Sequence, residues 1–211
     1  IVVGLNGKVN ISNDGGSSWR NKNYCVGNSQ YTYSSIFAMP GTGQVWAGSN
    51  GGGFILYSTN SGSNWTQYST GAPNAIYDID METSTTGYAT GGNAFAGTGY
   101  CYKTTNSGVT WSPLTIPTPA YQMNTADFID VNTGWIVGGL PFNSGSEISK
   151  TTNGGLTWTS QVTSNAYASA FGQVAMADAN TGYLCSGSNV WKTTNGGNNW
   201  NTLTVTPSAG F

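Results

Sequence analysis

The acidic side chains are the residues of this 211-residue chain best suited to acid–base chemistry. Asp78 and Asp127 each lie in an alternating apolar stretch that predicts a β-strand. If both carboxyl groups point into one central channel, they form the best acid pair in the chain for ion binding or general acid–base work. The chain has no histidine. This removes the commonest general base and metal ligand, and with it most triad and zinc chemistry, so we expect no cofactor and no metal.

A second group of residues suits recognition. Aromatic rings offer flat apolar faces for stacking, and amides offer directional hydrogen bonds, a combination that suits carbohydrate or peptide binding. The stretches between predicted strands hold Phe95, Tyr121 with Gln122 and Asn124, Phe142, and Tyr167 with Phe171. Tyr77, Tyr121 and Tyr167 recur at one position of a sequence repeat. For these three tyrosines, packing between repeats is therefore the alternative to ligand binding.

One eight-residue motif, here called the octet, organises the whole chain because it occurs five times. Its pattern is a hydroxyl residue, any residue, Asp or Asn, a small residue, Gly, two variable residues and Trp. The closing tryptophans are 46, 46, 47 and 42 residues apart, a period that predicts a repeat architecture. The structural positions of the five octets are Ser12, Asp14, Gly16 and Trp19; Ser58, Asn60, Gly62 and Trp65; Thr104, Asn106, Gly108 and Trp111; Thr151, Asn153, Gly155 and Trp158; and Thr193, Asn195, Gly197 and Trp200.

The octet predicts a tight turn between two strands. Its Asp or Asn can accept hydrogen bonds from backbone N–H groups one or two residues on, and its Gly can adopt a positive φ. A second turn and an alternating apolar run precede most octets, so each repeat holds four strands. In the fourth repeat these are Thr125–Asp130, Gly134–Gly139, Glu147–Thr152 and Leu156–Thr163. Asp80, Asp130 and Asp178 end the first strand of their repeats and are expected to cap the turn that follows.

Four antiparallel strands per period of about 45 residues predict an all-β fold, a β-propeller of four-stranded blades. The expected blades are 1–30 (without its first strand), 31–72, 73–118, 119–165 and 166–211. Both ends of the chain interrupt a repeat, so we expect the chain to be part of a longer protein with a larger propeller. A five-bladed ring with an abbreviated closure is the alternative.

The octets resemble the Asp-box, the bacterial-sialidase-type repeat of β-propellers. They are most similar to the variant in propellers of the photosystem II assembly-factor type, which often reads KTTNGGxTW and occurs in many secreted bacterial proteins. Lys103, Lys150 and Lys192 precede three octets and extend the match. Only Asp14 keeps the acid, and Asn replaces it in the other four octets. The resemblance covers all five repeats and implies a propeller whose ligand site lies on the face opposite the octets.

The enzyme classes that this resemblance raises make specific demands on the residues. Sialidases grip their substrate with three arginines, whereas this chain has one, Arg20, so sialidase activity is excluded for this segment. Asp-box xyloglucanases use two Asp residues in a cleft between two propellers. This chain supplies at most one of those two propellers. The arginine patch of photosystem assembly propellers is missing as well.

Composition favours an extracellular protein. Only 7% of the residues are charged, against roughly 25% in an average globular domain. The net charge of −2 is scattered, which argues against nucleic acid as a partner, and no apolar run is long enough to predict a membrane span. Three cysteines, Cys25, Cys101 and Cys185, do not form a disulfide framework.

We therefore expect a non-catalytic, secreted or cell-surface module for binding or scaffolding. Its partner would be a glycan, a cell-wall polymer or a surface protein. One propeller of a glycoside hydrolase of the xyloglucanase type is the first alternative. A purely structural repeat of a surface adhesin or an extracellular filament is the second.

Overall fold

The computed structural model describes residues 1–23, 31–139, 145–161, 172–186 and 189–203. Cys25, Phe142, Tyr167 and Phe171 lie outside these ranges. Within them the chain forms 19 β-strands and two short 3-10 turns, Leu5–Gly7 and Ala94–Ala96. No helix in the described ranges is long and apolar enough to cross a membrane.

The strands form five antiparallel sheets, in each of which every strand pairs with its neighbour in sequence. The first sheet, blade 1, has three described strands: β1 (Val2–Val3), β2 (Lys8–Ile11) and β3 (Arg20–Asn23). Blade 2 has β4 (Tyr33–Ala38), β5 (Val45–Ser49), β6 (Phe54–Ser58) and β7 (Thr66–Ser69). Blade 3 has β8 (Ala75–Met81), β9 (Gly87–Asn93), β10 (Thr98–Thr104) and β11 (Ser112–Leu114). Blade 4 has β12 (Gln122–Phe128), β13 (Gly134–Gly139), β14 (Ser146–Thr151) and β15 (Thr159–Ser160), and blade 5 has β16 (Gln173–Met176), β17 (Gly182–Ser186), β18 (Asn189–Thr193) and β19 (Asn201–Leu203).

This arrangement confirms the predicted all-β propeller fold. In blade 4 the second strand has the predicted bounds, and the first begins three residues earlier than predicted, at Gln122. The last strand begins three residues later than predicted, at Thr159, because the octet turn extends to Trp158, and the predicted end of this strand at Thr163 lies outside the described residues.

The octet forms the same hydrogen-bonded turn in all five blades. In blade 4 the Thr151 hydroxyl accepts hydrogen bonds from the Asn153 and Gly155 N–H groups at 3.3 and 2.9 Å and donates to Asn153 Oδ1 at 3.0 Å. Asn153 Oδ1 also accepts a hydrogen bond from the Thr157 N–H at 2.9 Å. The other octets repeat these contacts. The turn is therefore as predicted, except that the Asx oxygen binds the N–H group four residues on, while the hydroxyl binds those two and four residues on.

Two consecutive octet positions have a positive φ. The glycines at the fifth position have φ between 78° and 94°, as predicted. The fourth position is also left-handed, with φ between 54° and 70°, and it holds a non-glycine residue in two octets, Ser61 and Ser107. Since a left-handed backbone costs an L-residue roughly 1–2 kcal/mol, these serines store local strain.

We expect Ser61→Gly to raise the free energy of unfolding by about 0.5–1 kcal/mol, because glycine relieves that strain while losing more chain entropy on folding. Denaturant unfolding measures the change. Ser107→Gly is the matched control: Ser107 has a similar φ, but its hydroxyl donates to Ser84 O at 2.8 Å. Its gain should therefore be smaller, and a loss of stability in Ser61→Gly would contradict the strain argument.

Aromatic side chains of the second strands join each blade to the next. Trp46 Nε1 of blade 2 donates to Ser107 O of the blade 3 octet at 2.8 Å. Tyr88 Oη of blade 3 donates to Val131 O of blade 4 at 2.8 Å. Trp135 Nε1 of blade 4 lies 3.3 Å from the Gly196 carbonyl oxygen of the blade 5 octet. Trp46, Tyr88 and Trp135 are each fully buried, so the main core lies between blades.

The lysines before the octets contribute to the same interfaces. Lys103 Nζ donates to Gly154 O of the next octet at 3.1 Å and lies 5.1 Å from the centre of the Tyr88 ring. Lys150 Nζ donates to Gly196 O at 3.2 Å and lies 4.6 Å from the centre of a Trp135 ring. The lysine that precedes the octet of blade 3 and the one that precedes the octet of blade 4 therefore each bind the octet of the following blade.

Candidate functional site

An open cavity of about 280 Å³ lies between blades 2 and 3. Its lining comes from the connection between β5 and β6, from the end of β9 and the turn after it, and from the segment before β8 with the start of that strand. The octets connect third and fourth strands, so the up-and-down topology puts this cavity on the opposite face, here called the loop face. The lining residues are Asn50, Gly51, Asn74, Ala75, Tyr77, Gly92, Asn93 and Phe95.

Phe95 is presented to solvent by a capped turn. Asn93 Oδ1 accepts hydrogen bonds from the Phe95 and Ala96 N–H groups at 3.0 and 3.2 Å, which holds the 3-10 turn Ala94–Ala96 in place. The Asn93 amide nitrogen lies 3.5 Å from Asn74 Oδ1 across the cavity wall. The Phe95 side chain is 89% exposed, so its ring is available for stacking.

Tyr77 is oriented by a β-bulge in β8. The pairing with β9 passes from Ile76 to Asp78 and leaves Tyr77 as the extra residue. Bulges re-aim side chains and are frequent beside functional sites. Tyr100 Oη donates to Ala75 O at 2.6 Å and fixes the start of this strand. Burial raises the pKa of Tyr77, so its hydroxyl stays neutral near pH 7 and can both donate and accept a hydrogen bond.

Gln122 and Asn124 of blade 4 are not among the residues that line the cavity. Gln122 Nε2 donates to Asn124 Oδ1 at 2.7 Å. The Gln122 Cα would be 2.8 Å from a Cβ on Gly92, which lines the cavity and has φ 154°. Tyr121 instead packs against the cluster of Cys101, Ile116 and Met123, which agrees with the packing alternative for this residue.

The structure therefore brings Phe95 and Tyr77 together in one cavity, and Gln122 and Asn124 do not line it. Sequence reasoning missed the three asparagines at the cavity, Asn50, Asn74 and Asn93. Their signal is weak, because they occur once each among the many Asn residues of the loops. None of the described lining residues carries a charge, so the site is neutral and suits ligands bound by stacking and amide hydrogen bonds.

The carboxylates of Asp78 and Asp127 lie elsewhere. Asp78 Oδ2 accepts a hydrogen bond from the Ala126 N–H at 3.1 Å, and Asp127 Oδ2 accepts one from the Met176 N–H at 2.5 Å. Each carboxylate thus bridges the innermost strand of its blade to the innermost strand of the next blade. Both carboxyl groups are therefore engaged with the backbone of the neighbouring blade, and an acid pair that points into the central channel stays a prediction.

Asp80 has the same bridging role, and the prediction that it caps a turn was wrong. It pairs with Tyr88 as Asp127 pairs with Trp135, and its Oδ2 accepts a hydrogen bond from the Phe128 N–H at 2.7 Å. The turn after β8 has the same length as the turn after β12, five residues, and Thr83 takes the place of Asp130 in it: the Thr83 hydroxyl accepts hydrogen bonds from two backbone N–H groups at 3.2 and 2.9 Å.

Asp130 and Asp178 do cap their turns, as predicted. Each Oδ1 accepts two backbone N–H hydrogen bonds at 2.7 to 2.9 Å. These hydrogen bonds hold the pKa of both carboxyl groups below the usual value.

Burial has the opposite effect on the bridging carboxylates. It raises the pKa of Asp78 to about 7 and that of Asp80 to about 6, and it also raises the pKa of Asp127. The negative charges of Asp80 and Asp127 raise the pKa of Asp78 further.

Within the described ranges no three Cys, Asp or Glu side chains are placed to hold a metal ion, and Cys101 and Cys185 are free thiols.

Solved structures with a similar fold include three that cover most of this chain. The GH74 enzyme of Niastella koreensis has a TM-score of 0.72 at 21% identity over 93% of this chain and 34% of its own. The WD40 β-propeller domain of Doa1 has a TM-score of 0.67 at 13% identity over 98% of this chain and 64% of its own. YCF48 from Cyanidioschyzon merolae has a TM-score of 0.61 at 14% identity over 86% of this chain and 58% of its own.

These likenesses show the fold. The chain spans less than two thirds of the length of each of these three proteins. No protein-family model matches the chain, and no curated protein matches it in sequence. The site must therefore be interpreted from its own residues.

Proposed function

We propose that this chain is a non-catalytic binding module whose loop-face cavity holds part of a neutral glycan. The observation that carries the proposal is the Phe95 ring, 89% exposed beside Tyr77 and the amides of Asn50, Asn74 and Asn93. A sugar offers an apolar ring face for stacking on Phe95 and hydroxyl groups for the amides and the Tyr77 hydroxyl. The cavity volume of about 280 Å³ is near the lower end of small-molecule sites, which suits one end or one short stretch of a polymer.

The position of the acids supports a non-catalytic role. Most glycosidases need two carboxyl groups that flank the scissile bond. The described lining of the cavity contains none, and Asp78, Asp80 and Asp127 bind backbone N–H groups of neighbouring blades.

The low content of charged residues supports a secreted or cell-surface location, where a cell-wall polymer or the glycan of a surface protein would be the natural partner. We also assign the octets to the Asp-box class, on the strength of their residues and of the turn that all five form.

One propeller of a glycoside hydrolase is the second candidate function. It is favoured by the raised pKa of the bridging carboxyls, because a carboxyl that is protonated near pH 7 can act as a general acid. The likeness to the Niastella koreensis GH74 enzyme keeps this candidate open, at 34% coverage of that chain.

Binding to an array of neutral, acidic and amino glycans tests the proposal. We expect neutral glycans to bind, and Phe95→Ala to weaken that binding at least tenfold, or about 1.4 kcal/mol, because the stacking face is lost. Asn74→Ala should weaken binding as well. Leu156→Ala is the matched control, because Leu156 is 77% exposed on the octet of blade 4, away from the loop face. Equal affinity of Phe95→Ala and the unmodified protein would contradict the assignment of the site.

A hydrolysis screen on the same glycans separates the two candidates. Release of reducing sugar that Asp127→Asn abolishes would overturn the non-catalytic proposal in favour of the hydrolase. The thermal unfolding of Asp127→Asn must be compared in parallel, since this side chain also joins blades 4 and 5.

A further inference from the structure

A second open cavity, of about 290 Å³, lies between blades 1 and 2 on the face of the propeller that carries the octets. The end of β2, the octet of blade 1 and the start of β3 form one side of it, and the octet of blade 2 forms the other. This cavity is here called the octet cleft. Its lining residues are Ile11, Asn13, Arg20, Ser61 and Ser63. It shares no described residue with the loop-face cavity, so the two are separate sites.

Arg20 distinguishes this cleft from the rest of the repeat. The residue after the octet tryptophan is small or uncharged in the other blades, where it is Thr66, Ser112, Thr159 or Asn201. Arg20 pairs with Ile11 across β3 and β2, and Ile11 belongs to the core cluster between blades 1 and 2. Directly paired residues share one face of a sheet, so the Arg20 side chain extends from the face that meets blade 2.

The guanidinium group of Arg20 has no counterion among the described residues. It donates a hydrogen bond to the side-chain oxygen of Asn13, whose amide nitrogen donates to Ser12 O at 3.2 Å. Asp14 is the nearest acid in sequence, but its carboxylate accepts hydrogen bonds from the Ser18 hydroxyl and N–H at 2.5 and 2.9 Å within its own octet. Arg20 makes no other polar contact within the described ranges. Its remaining N–H groups can bind a carboxylate through two parallel hydrogen bonds.

The distribution of charge favours an anion at this end of the propeller. Residues 1–72 contain three of the six basic residues and only one of the eight acidic residues. Lys22 pairs with Val9 and therefore lies on the same face of β3 as Arg20. The other seven acids lie between residues 78 and 178. An anionic ligand is therefore attracted to the octet cleft.

The octet cleft also contains a hydrogen-bond acceptor that the other octets satisfy internally. In three octets the carbonyl of the fourth residue accepts a hydrogen bond from the preceding blade, at Ser107, Gly154 and Gly196. Ser61 is the equivalent residue of blade 2, and its carbonyl accepts none among the described residues. An Ile, and not a Lys, precedes the blade 1 octet, so no ammonium group reaches this carbonyl from blade 1. A ligand that carries hydroxyl groups can donate to it.

The equivalent cleft between blades 4 and 5 shows what Arg20 adds. Its volume is about 230 Å³, and Thr159 pairs with Lys150 there as Arg20 pairs with Ile11. The lining residues are Lys150, Thr152, Thr157, Thr159, Gln161 and Asn198. The Lys150 ammonium group is already engaged, because it donates to Gly196 O and lies over the Trp135 ring. Of these two clefts, the one with Arg20 therefore presents the cation that is open to a ligand.

We propose that the octet cleft binds a uronic acid residue of an acidic glycan. Arg20 binds the carboxylate, and the Ser61 carbonyl accepts a hydrogen bond from a sugar hydroxyl. The hydroxyl groups of Ser61 and Ser63 bind further sugar oxygens, and Ile11 forms the apolar floor. The volume of about 290 Å³ is near the lower end of small-molecule sites and suits one sugar residue. A simple oxyanion or an acidic peptide side chain would occupy Arg20 but would offer the Ser61 carbonyl no hydroxyl.

Calorimetric titration with tri-galacturonate tests the proposal. We expect binding that weakens as salt is added. Arg20→Thr should lower the affinity at least tenfold, because the charged hydrogen bonds to the carboxylate are lost, and Thr is the native residue at this position in blades 2 and 4. Lys8→Thr is the matched control. It removes the same charge from the opposite face of β2 and should leave the affinity unchanged. Thermal unfolding of both variants confirms that they are folded.

Parallel titrations identify the class of ligand and separate the two cavities. Acetate and tri-glutamate should each bind at least tenfold more weakly than tri-galacturonate, and Phe95→Ala should leave tri-galacturonate binding unchanged. Tri-glutamate that binds as tightly as the sugar acid would overturn the proposal in favour of an acidic peptide. Binding that Phe95→Ala abolishes and Arg20→Thr preserves would place the sugar acid in the loop-face cavity and overturn the proposal as well. So would an unmodified protein that does not bind tri-galacturonate, whatever the result with neutral glycans.

Discussion

We expect the free energy of unfolding to fall as the pH rises from about 4.5 to 7.5, because the folded protein keeps protons that the unfolded chain releases. Burial raises the pKa of Asp78 to about 7 and of Asp80 to about 6, and burial together with nearby carboxylates raises that of Glu82 to about 7. The ordinary values are 3.8 for Asp and 4.5 for Glu. Between the two sets of values the folded state binds more protons, so stability declines with pH.

The expected decline is on the order of 2–4 kcal/mol, less than the full conversion of about 1.36 kcal/mol per pKa unit, because these side chains are partly exposed. Most of it should come from Asp78 and Asp80. Their carboxylates lie near Asp127, so ionisation places several negative charges between blades 3 and 4. Urea unfolding at steps between pH 4 and 8 measures the profile, and a stability that rises through this range would contradict the prediction.

Asparagine substitutions identify the groups responsible. Asp78→Asn and Asp80→Asn keep an oxygen that can accept the Ala126 or Phe128 N–H hydrogen bond, and they remove the charge. Each should flatten the profile and stabilise the protein near pH 7.5 by about 1–2 kcal/mol. Asp130→Asn is the control with the opposite effect on stability. Two backbone hydrogen bonds lower the pKa of Asp130, so the ionised carboxylate stabilises the folded protein at neutral pH, and this stabilisation is lost as the pH falls.

The propeller fold could be predicted from sequence because the octet is a local device. A hydroxyl, an Asx, a Gly and a Trp within eight residues form the turn by contacts inside the octet, so five copies in sequence indicate five blades. Asp80 shows where this reasoning ends. Aligned on the acids it matched Asp130, but the turns after β8 and β12 have the same length, five residues, and the strand register places Asp80 at the position of Asp127 and Thr83 at that of Asp130.

The candidate site was harder to predict because it depends on contacts between blades. Phe95 stood out as an aromatic residue that does not recur in every repeat. Asn50, Asn74 and Asn93 come from three separate connections, and only the packing of blade 3 on blade 2 brings them together. The bulge that re-aims Tyr77 is a property of strand pairing and has no signature in the residues themselves.

Trp46→Ala should be among the most destabilising substitutions in the chain, with an expected loss of about 3–5 kcal/mol. Trp46 is fully buried between blades 2 and 3, where it stacks on Tyr57 at 5.0 Å and packs against Ile76 and Trp111. The substitution leaves a large cavity and removes the donor to Ser107 O. Trp46→Phe keeps most of the packing and isolates the hydrogen bond, whose loss should account for about 1 kcal/mol.

Trp19→Ala is the matched control, because this octet tryptophan is 49% exposed. Denaturant unfolding of the monomer should give it a loss at least about 2 kcal/mol smaller than that of Trp46→Ala, since it leaves little buried volume empty. Equal losses would mean that the octets, and not the contacts between blades, hold the propeller together.

The loop-face cavity lies at the same interface as Trp46, between blades 2 and 3. We therefore expect Trp46→Ala to weaken glycan binding as well, although Trp46 is not among the residues that line the cavity.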